Sequence, residues 1–389
     1  MLARRVQHLK STGAFEFLAK AAALEKQGKD IIHLEIGQPD FDTPINIKEA
    51  GIKAIKDGYT KYTDGQGLPK LREVIAEHVS KTRGIKVEPD EVVITQGASP
   101  IIFFVILALI EEGDEVLYPN PGFFTYEPVT ILADGIPVPI HLIEEKCFTM
   151  DVDEIRRKIS NRTKLVIINS PHNPTGGMLS PEDLKEIANI VRKRNCLVLS
   201  DEVYSEMVYD GEFHSIASCP DMKDKTIIVD SFSKTYAMTG WRLGYGVMRK
   251  DLADKVAALQ INSNSCVTGF IQIAGIEAIR GSQEEVRARC KIFKKRRDLI
   301  IDGLNKIKGI KCVKPKGAFY AFANHKELDI NSRELAEHLL NEAGVACLPG
   351  TVFGEFGEGY VRFTYANSEE NIERALKRIE QAIAKLARA

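Results

Sequence analysis

Lys234 is the residue whose setting first points to chemistry. It stands in Asp230-Ser231-Phe232-Ser233-Lys234, after an apolar run ending at Val229 and before the glycine-rich Gly240-Trp241-Arg242-Leu243-Gly244. An amine in a small, hydroxyl-rich turn between a strand and a glycine-rich segment is placed to form an imine with an aldehyde. A lone lysine would read as a surface residue, but Ser-x-Ser-Lys with an arginine eight residues on reverses that reading. An acid and a phenol follow another apolar run in Leu199-Ser200-Asp201-Glu202-Val203-Tyr204. Taken alone, they suit a helix N-cap and a packed aromatic. Asn169-Ser170-Pro171-His172-Asn173-Pro174-Thr175-Gly176-Gly177 is dense in turn formers and reads as a tight loop, which a cis Asn173–Pro174 bond would suit. In Thr95-Gln96-Gly97-Ala98-Ser99-Pro100, small residues join a strand to an apolar helix. Such a turn lets the backbone approach a phosphate and offers free N–H groups, which makes Ala98 and Ser99 a candidate phosphate cradle. Near the end of the chain lies Gly359-Tyr360-Val361-Arg362-Phe363-Thr364-Tyr365. The planar guanidinium of Arg362 suits bidentate capture of a carboxylate, and a strand arginine in a surface ion pair is the plainer alternative.

Together, Ser231-Phe232-Ser233-Lys234 and Gly240-Trp241-Arg242-Leu243-Gly244 resemble the class I aminotransferases of the fold-type I pyridoxal-phosphate family, of the aspartate and aromatic aminotransferase kind. The resemblance implies that Lys234 carries pyridoxal 5′-phosphate as a Schiff base, with Ser231, Arg242, Ala98 and Ser99 around the phosphate. It further implies that Asp201 keeps the pyridine nitrogen protonated, so that the ring acts as an electron sink. Asn173 and Tyr204 then hydrogen-bond the phenolic oxygen, and Phe123, in Asn120-Pro121-Gly122-Phe123-Phe124-Thr125-Tyr126, stacks on the ring unless it serves core packing. By the same resemblance Arg362, Gly37 and Asn173 receive the substrate, Gly37 through its backbone in Ile36-Gly37-Gln38-Pro39-Asp40. Tyr62, in Tyr59-Thr60-Lys61-Tyr62-Thr63-Asp64-Gly65, corresponds to a tyrosine that crosses a dimer interface to the neighbouring phosphate, which implies a homodimer. The resemblance gives His172 no role, and it reads as a solvated loop histidine. Matching segments run in family order from Gly37 to Arg362. Two departures bear on substrate: Ser99 is short where some aspartate-using relatives carry a longer side chain, and no second arginine is identifiable for a side-chain carboxylate.

These residues need a scaffold that brings distant turns together. Between about residues 46 and 275, short runs such as Val92–Thr95, Glu115–Tyr118, Leu165–Ile168, Leu197–Ser200 and Thr226–Val229 alternate with helical patterns. That alternation predicts an α/β fold, a mainly parallel seven-stranded-type sheet between helices, with ligands beyond the carboxyl ends of the strands. Ile101–Ile110 is too short to span a bilayer and reads as a buried helix. From about residue 280 the pattern changes to a long charged helix, Glu284–Ile307, a strand at Gly317-Ala318-Phe319-Tyr320 and two amphipathic helices, which predicts a smaller α+β domain. The expected division is 1–45 as an N-terminal arm and part of the small domain, 46–279 as the large cofactor-binding domain and 280–389 as the C-terminal small domain.

At 389 residues the chain exceeds the usual size of a single core. A net charge of −1 gives no long-range positive field, so no nucleic-acid partner is expected. Seven scattered cysteines without a C-x-x-C pair read as reduced thiols in a cytoplasmic protein, and no metal site or membrane span is expected. The first ten residues carry positive charge but no apolar run, so no export signal is expected. The reading is a homodimeric transaminase acting on an L-amino acid and a 2-oxo acid, with glutamate and 2-oxoglutarate as the common pair by family analogy and the donor open among aspartate, aromatic and neutral amino acids. A carbon–sulfur lyase on the same site is the nearest rival. A non-enzymatic effector-binding module is the rival from another class, disfavoured because no room precedes the helical arm for a helix-turn-helix domain.

Overall fold

A computed structural model describes residues 2, 6 and 13–386. The export reading of the first ten residues therefore falls almost wholly outside the described residues, as do the outermost ends of the first and last expected domains.

A short strand β1 (Ile32–His33) follows helix α1 (Gly13–Lys26). Seven strands then build one sheet: β2 (Val92–Thr95), β3 (Glu115–Asn120), β4 (Ile136–His141), β5 (Thr163–Asn169), β6 (Leu197–Asp201), β7 (Thr226–Ser231) and β8 (Gly244–Val247). Their order is β2-β8-β7-β6-β5-β3-β4, with parallel pairing from β7 to β4 and β8 antiparallel to both its neighbours. All five β-branched runs become strands of this sheet. The two strands the pattern did not reveal have physical reasons for their weak signal. β4 carries Pro137 and Pro139, which an edge strand tolerates because it pairs on one side only. β8 alternates glycine with larger residues, and a Cβ on Gly244 would lie 2.4 Å from the carbonyl carbon of Gly97.

Helices α2 (Ile45–Lys56), α3 (Pro69–Arg83), α4 (Ser99–Leu109) and α5 (Tyr126–Leu132) precede or follow these strands. The apolar run becomes α4, with Ile101, Ile102, Phe104, Val105 and Ile106 buried. Pro100 sits in its first turn, where a missing N–H costs nothing. Residues after 280 form an antiparallel sheet of β9 (Lys311–Cys312), β10 (Tyr320–Asn324), β12 (Leu348–Pro349) and β13 (Tyr360–Thr364), while β11 (Val345–Ala346) pairs with β1. Two boundaries differ from expectation. The long helix stops at Leu304 because the Asn305 side chain turns to bond the backbone of Cys312 in both directions, at 2.8 and 3.0 Å. β10 begins only at Tyr320, because Ala318 adopts a positive φ of 58°. None of the seven cysteines is paired. Among the described residues no helix is long and apolar enough to cross a membrane.

Candidate active site

The carboxyl ends of β2, β3, β5, β6 and β7 converge on a cavity of about 310 Å³ whose lining also includes α1, the loop after β1, and Tyr320, Leu348 and Arg362. At the end of β7, Ser231 Oγ accepts from the Ser233 backbone N–H at 3.1 Å and caps the single helical turn Phe232–Thr235 that carries Lys234. Lys234 Nζ donates to the Gly37 carbonyl and lies 5.8 Å from the Phe319 ring centroid. Desolvation brings the amine down to about 8, and the nearby Arg362 and Arg242 guanidiniums act in the same direction. The amine is therefore partly neutral near physiological pH, as a nucleophile or base requires.

Arg242 adopts φ 55° and reaches back to donate to the carbonyls of Thr239 at 2.8 Å and Gln96 at 3.2 Å. A Cβ on Gly97, itself at φ +91°, would fall 2.5 Å from Arg242 Nη2, so the glycine gives the guanidinium its path to the N-terminus of α4. Ala98, Ser99, Ser231 and Ser233 line the same end of the cavity. Small residues, a helix N-terminus, hydroxyls and a guanidinium together make an anion cradle.

Asp201 ends β6, 4% exposed, and accepts from the Tyr126 hydroxyl at 2.6 Å. Burial pushes its carboxyl up to about 6 against that hydrogen bond, leaving a costly charge for which a cation would be a natural partner. Asn169, at the end of β5, accepts from the Asn173 backbone N–H at 2.8 Å and donates to the Asp201 carbonyl at 2.9 Å, joining two strand ends to the loop between them. The Asn173–Pro174 bond is cis, as are Ser170–Pro171 and Asn120–Pro121.

At the opposite wall, Arg362 of β13 is 4% exposed, so it is not a surface ion pair. Its Nη1 donates to Asn173 Oδ1 at 3.0 Å and its Nη2 to the Glu35 carbonyl, while the guanidinium lies 4.4 Å over the Tyr320 ring. Its buried Nε has no hydrogen-bond partner among the described residues. The Tyr320 hydroxyl meets that of Tyr204 at 2.6 Å. Gly37 lies tight against it, since a Cβ there would be 2.2 Å from the Tyr320 oxygen. Phe123 lines the cavity beside Phe124, with ring centroids 4.5 Å apart.

Lys234, Asp201, Tyr204, Asn173, Ser231, Arg242, Ala98, Ser99, Phe123, Gly37 and Arg362 thus line one cavity. Tyr62 does not; it is 90% exposed, away from its own chain's pocket. The expectation for His172 is corrected. It is 2% exposed, bonded to Thr175 Oγ1 at 2.8 Å, and burial lowers its pKa to about 3. The segment packs inward and takes the ring with it, which turn composition alone does not reveal. Sequence reasoning passed over Tyr126, Asn169 and Tyr320. Each stood inside a segment already of interest, but nothing local distinguishes their polar tips from those of neighbours.

The sequence matches the family described as Aminotransferase class I and II over residues 29–379. It is 41% identical over 389 residues to the probable aspartate/prephenate aminotransferase of Aquifex aeolicus, covering 98% of each chain. It is 43% identical over 359 residues to the aspartate aminotransferase of Pyrococcus abyssi, covering 91% of this chain and 92% of the relative. Superposition on the crystal structure of an aromatic aminotransferase from Pyrococcus horikoshii gives a TM-score of 0.90 at 40% identity, over 94% of this chain and 99% of the other. With the site geometry and a family match across nearly its whole length, the chain belongs to the class I and II aminotransferases, fold-type I enzymes that use pyridoxal 5′-phosphate.

Proposed function

We propose that this transaminase moves the amino group of a large neutral or aromatic L-amino acid to a 2-oxo acid, with Lys234 holding the cofactor. The observation that carries the reading is the convergence of a depressed lysine amine, a buried carboxylate and a buried arginine on one cavity. The residues fit the cofactor: an anion cradle of Ala98, Ser99, Ser231 and Arg242 for its phosphate, Phe123 for its ring face, Asp201 for its ring nitrogen and the Tyr204 and Asn173 side chains for its phenolic oxygen. When bound, the pyridoxal ring supplies an aldehyde for the amino group and an electron-poor system that stabilises negative charge at the substrate α-carbon. Asp201 would hold its negative charge toward the ring nitrogen, Arg362 would orient the substrate α-carboxylate, and the Lys234 amine would serve as the base for the Cα proton.

The apolar part of the cavity lining supports the donor class. Ala14, Phe15, Ile36 and Leu348 form it beside Gln38, and the cations among the lining residues are Lys234, Arg242 and Arg362, each already assigned. A donor screen with 2-oxoglutarate tests this. Aromatic and large aliphatic donors should give their 2-oxo acids faster than aspartate does, and only when the acceptor is present. Preference for aspartate would overturn the donor class, and ammonia release without an acceptor would favour the lyase.

A homodimer completes this reading, with Tyr62 reaching the neighbouring site. Its 90% exposure, near Tyr59 at 44% and Ile55 at 48%, supports an apolar face that a second copy covers. We divide the chain as 46–279 for the large domain, with 1–45 and 280–389 assigned to the small one; the pairing of β1 with β11 supports that grouping.

A further inference from the structure

Behind the cavity, on the other face of the sheet, lies a buried ionic cluster that none of these assignments uses. Side chains alternate along a strand, so with Asp201 and Ser231 facing the cavity, Ser200 of β6 and Asp230 of β7 face away, and Glu202, just past the end of β6, joins that side by accepting from Ser200. Glu202 is 1% exposed and Asp230 7% exposed. Both carboxylates meet one cation, Arg83, the last residue of α3, itself 5% exposed. Arg83 Nε donates to Glu202 Oε2 at 2.8 Å, and its Nη2 donates to Ser205 Oγ at 3.0 Å and approaches Asp230 Oδ2 at 3.4 Å. Glu202 Oε1 accepts from Ser215 at 2.6 Å and Ser200 at 2.9 Å, and Asp230 accepts from the Tyr245 hydroxyl at 3.1 Å. Phe213 covers the guanidinium at 4.8 Å.

Glu202 and Arg83 thus pair directly behind the acid that faces the pocket, while burial pushes the second carboxyl, Asp230, up to about 7, so that it carries only part of a charge there. We propose that Arg83 is a positioning residue of the reaction: by clamping Glu202 and Asp230 it fixes the strand ends that present Asp201 and Lys234, and it neutralises the charge behind Asp201 so that Asp201 keeps its own. Charges and ionisable groups facing Asp201 are Tyr126 from α5, Lys234, Glu202 next to it in the chain, and the phenols of Tyr204 and Tyr320. Those facing Arg83 are Glu202, Asp230, Tyr245 from β8 and His78 of its own helix. Glu202 pushes the Asp201 carboxyl up and Lys234 pulls it down, so a change in the net charge of the cluster is felt at Asp201.

The inference rests on Asp201 supplying the charge that the cofactor needs, and the test separates the two claims. Full-length apoprotein is titrated with pyridoxal 5′-phosphate across pH, and the midpoint of the acid-side loss of affinity is read for each variant alongside the acid limb of kcat/KM. Asp201→Asn should abolish this acid-side transition if Asp201 is the titrating group; its persistence would fault that assignment and not the role of Arg83. Glu202→Gln removes a negative charge behind Asp201 and should move the midpoint down by about half a pH unit or more. Arg83→Met should move it up by about one unit, and adding Glu202→Gln to that variant should bring it back toward wild type. A Glu202→Gln midpoint that is unmoved or raised overturns the proposal, as does a double variant no better than Arg83→Met. Glu202→Gln keeps the arginine and near-identical shape, so its result decides the matter even where Arg83→Met fails to fold.

Discussion

At Asp201 burial sets stability against the role proposed for its charge. Its carboxyl is buried, bonded to Tyr126 and held up to about 6, above its ordinary value of 3.8. For an acid raised in this way, folding is favoured below the unfolded value and that advantage is lost as pH rises through the folded one. Apoprotein carrying Asp201→Asn should therefore be more stable than wild type above about pH 6, by roughly 1–3 kcal/mol, with the gap closing below about pH 4. The same change should cut the half-reaction rate by about 10³-fold, roughly 4 kcal/mol of transition-state stabilisation. Melting curves across pH and single-turnover rates check the two halves, and near-normal turnover would mean that another group serves the ring nitrogen. In its proposed role Arg362 makes a different demand, because the α-carboxylate is common to every donor and acceptor. Its fork is already aligned by Asn173 and the Tyr320 ring, and an ammonium cannot reproduce it. Arg362→Lys should lower kcat/KM by at least about 10²-fold for an aromatic donor and for aspartate alike. A defect with aspartate alone would assign Arg362 to a side-chain carboxylate.

At the scale of elements, the anion cradle depends on how closely β8 approaches the turn between β2 and α4. Gly244 has no positive φ, so conformational freedom is not its reason for being glycine. Its hydrogen points at backbone: an added Cβ would lie 2.4 Å from Gly97 C and 2.6 Å from Ala98 N. Backbone cannot swing aside as a side chain can, so Gly244→Ala should cost about 2–4 kcal/mol and displace the α4 N-terminus from the phosphate end of the cavity. Thermal unfolding and pyridoxal phosphate affinity should fall together. A variant as stable as wild type, with unchanged affinity, would show that the turn relaxes freely. The same elements explain what strand patterns revealed: β3, β5, β6 and β7 read as apolar runs because parallel strands are covered on both faces, and β2, antiparallel to β8 at the edge, is likewise buried at all four residues, whereas β4 with its prolines and β8 with its glycines answer to edge position and close approach.

For the whole molecule, the prediction concerns two copies. Lys234 and Tyr62 lie on the same chain, one in the cavity and the other exposed outside it, so in the proposed dimer each site draws them from different chains. Lys234→Ala and Tyr62→Ala proteins, each impaired alone, should regain activity when refolded together, because a mixed dimer holds one site with both residues intact. Activity no greater than the sum of the separate proteins would place Tyr62 outside the neighbouring site. Much of this molecule was legible before folding, since imine-forming, anion-cradling and strand-forming signals are carried by contiguous residues: Ser231 to Gly244, Thr95 to Pro100, and the apolar run before Asp201. The sequence by itself therefore determined five strands of the sheet, the order of the turns that follow them and the lysine as the candidate. What only the tertiary structure decided is which distant groups meet: Tyr126 on Asp201, Tyr320 between Tyr204 and Arg362, Arg83 behind two strand ends, and His172 turned inward. Such contacts join residues far apart in the chain, so no local spacing encodes them, and the burial that shifts the titration of Asp201 and Lys234 exists only once the sheet, its helices and the C-terminal strands have closed around them.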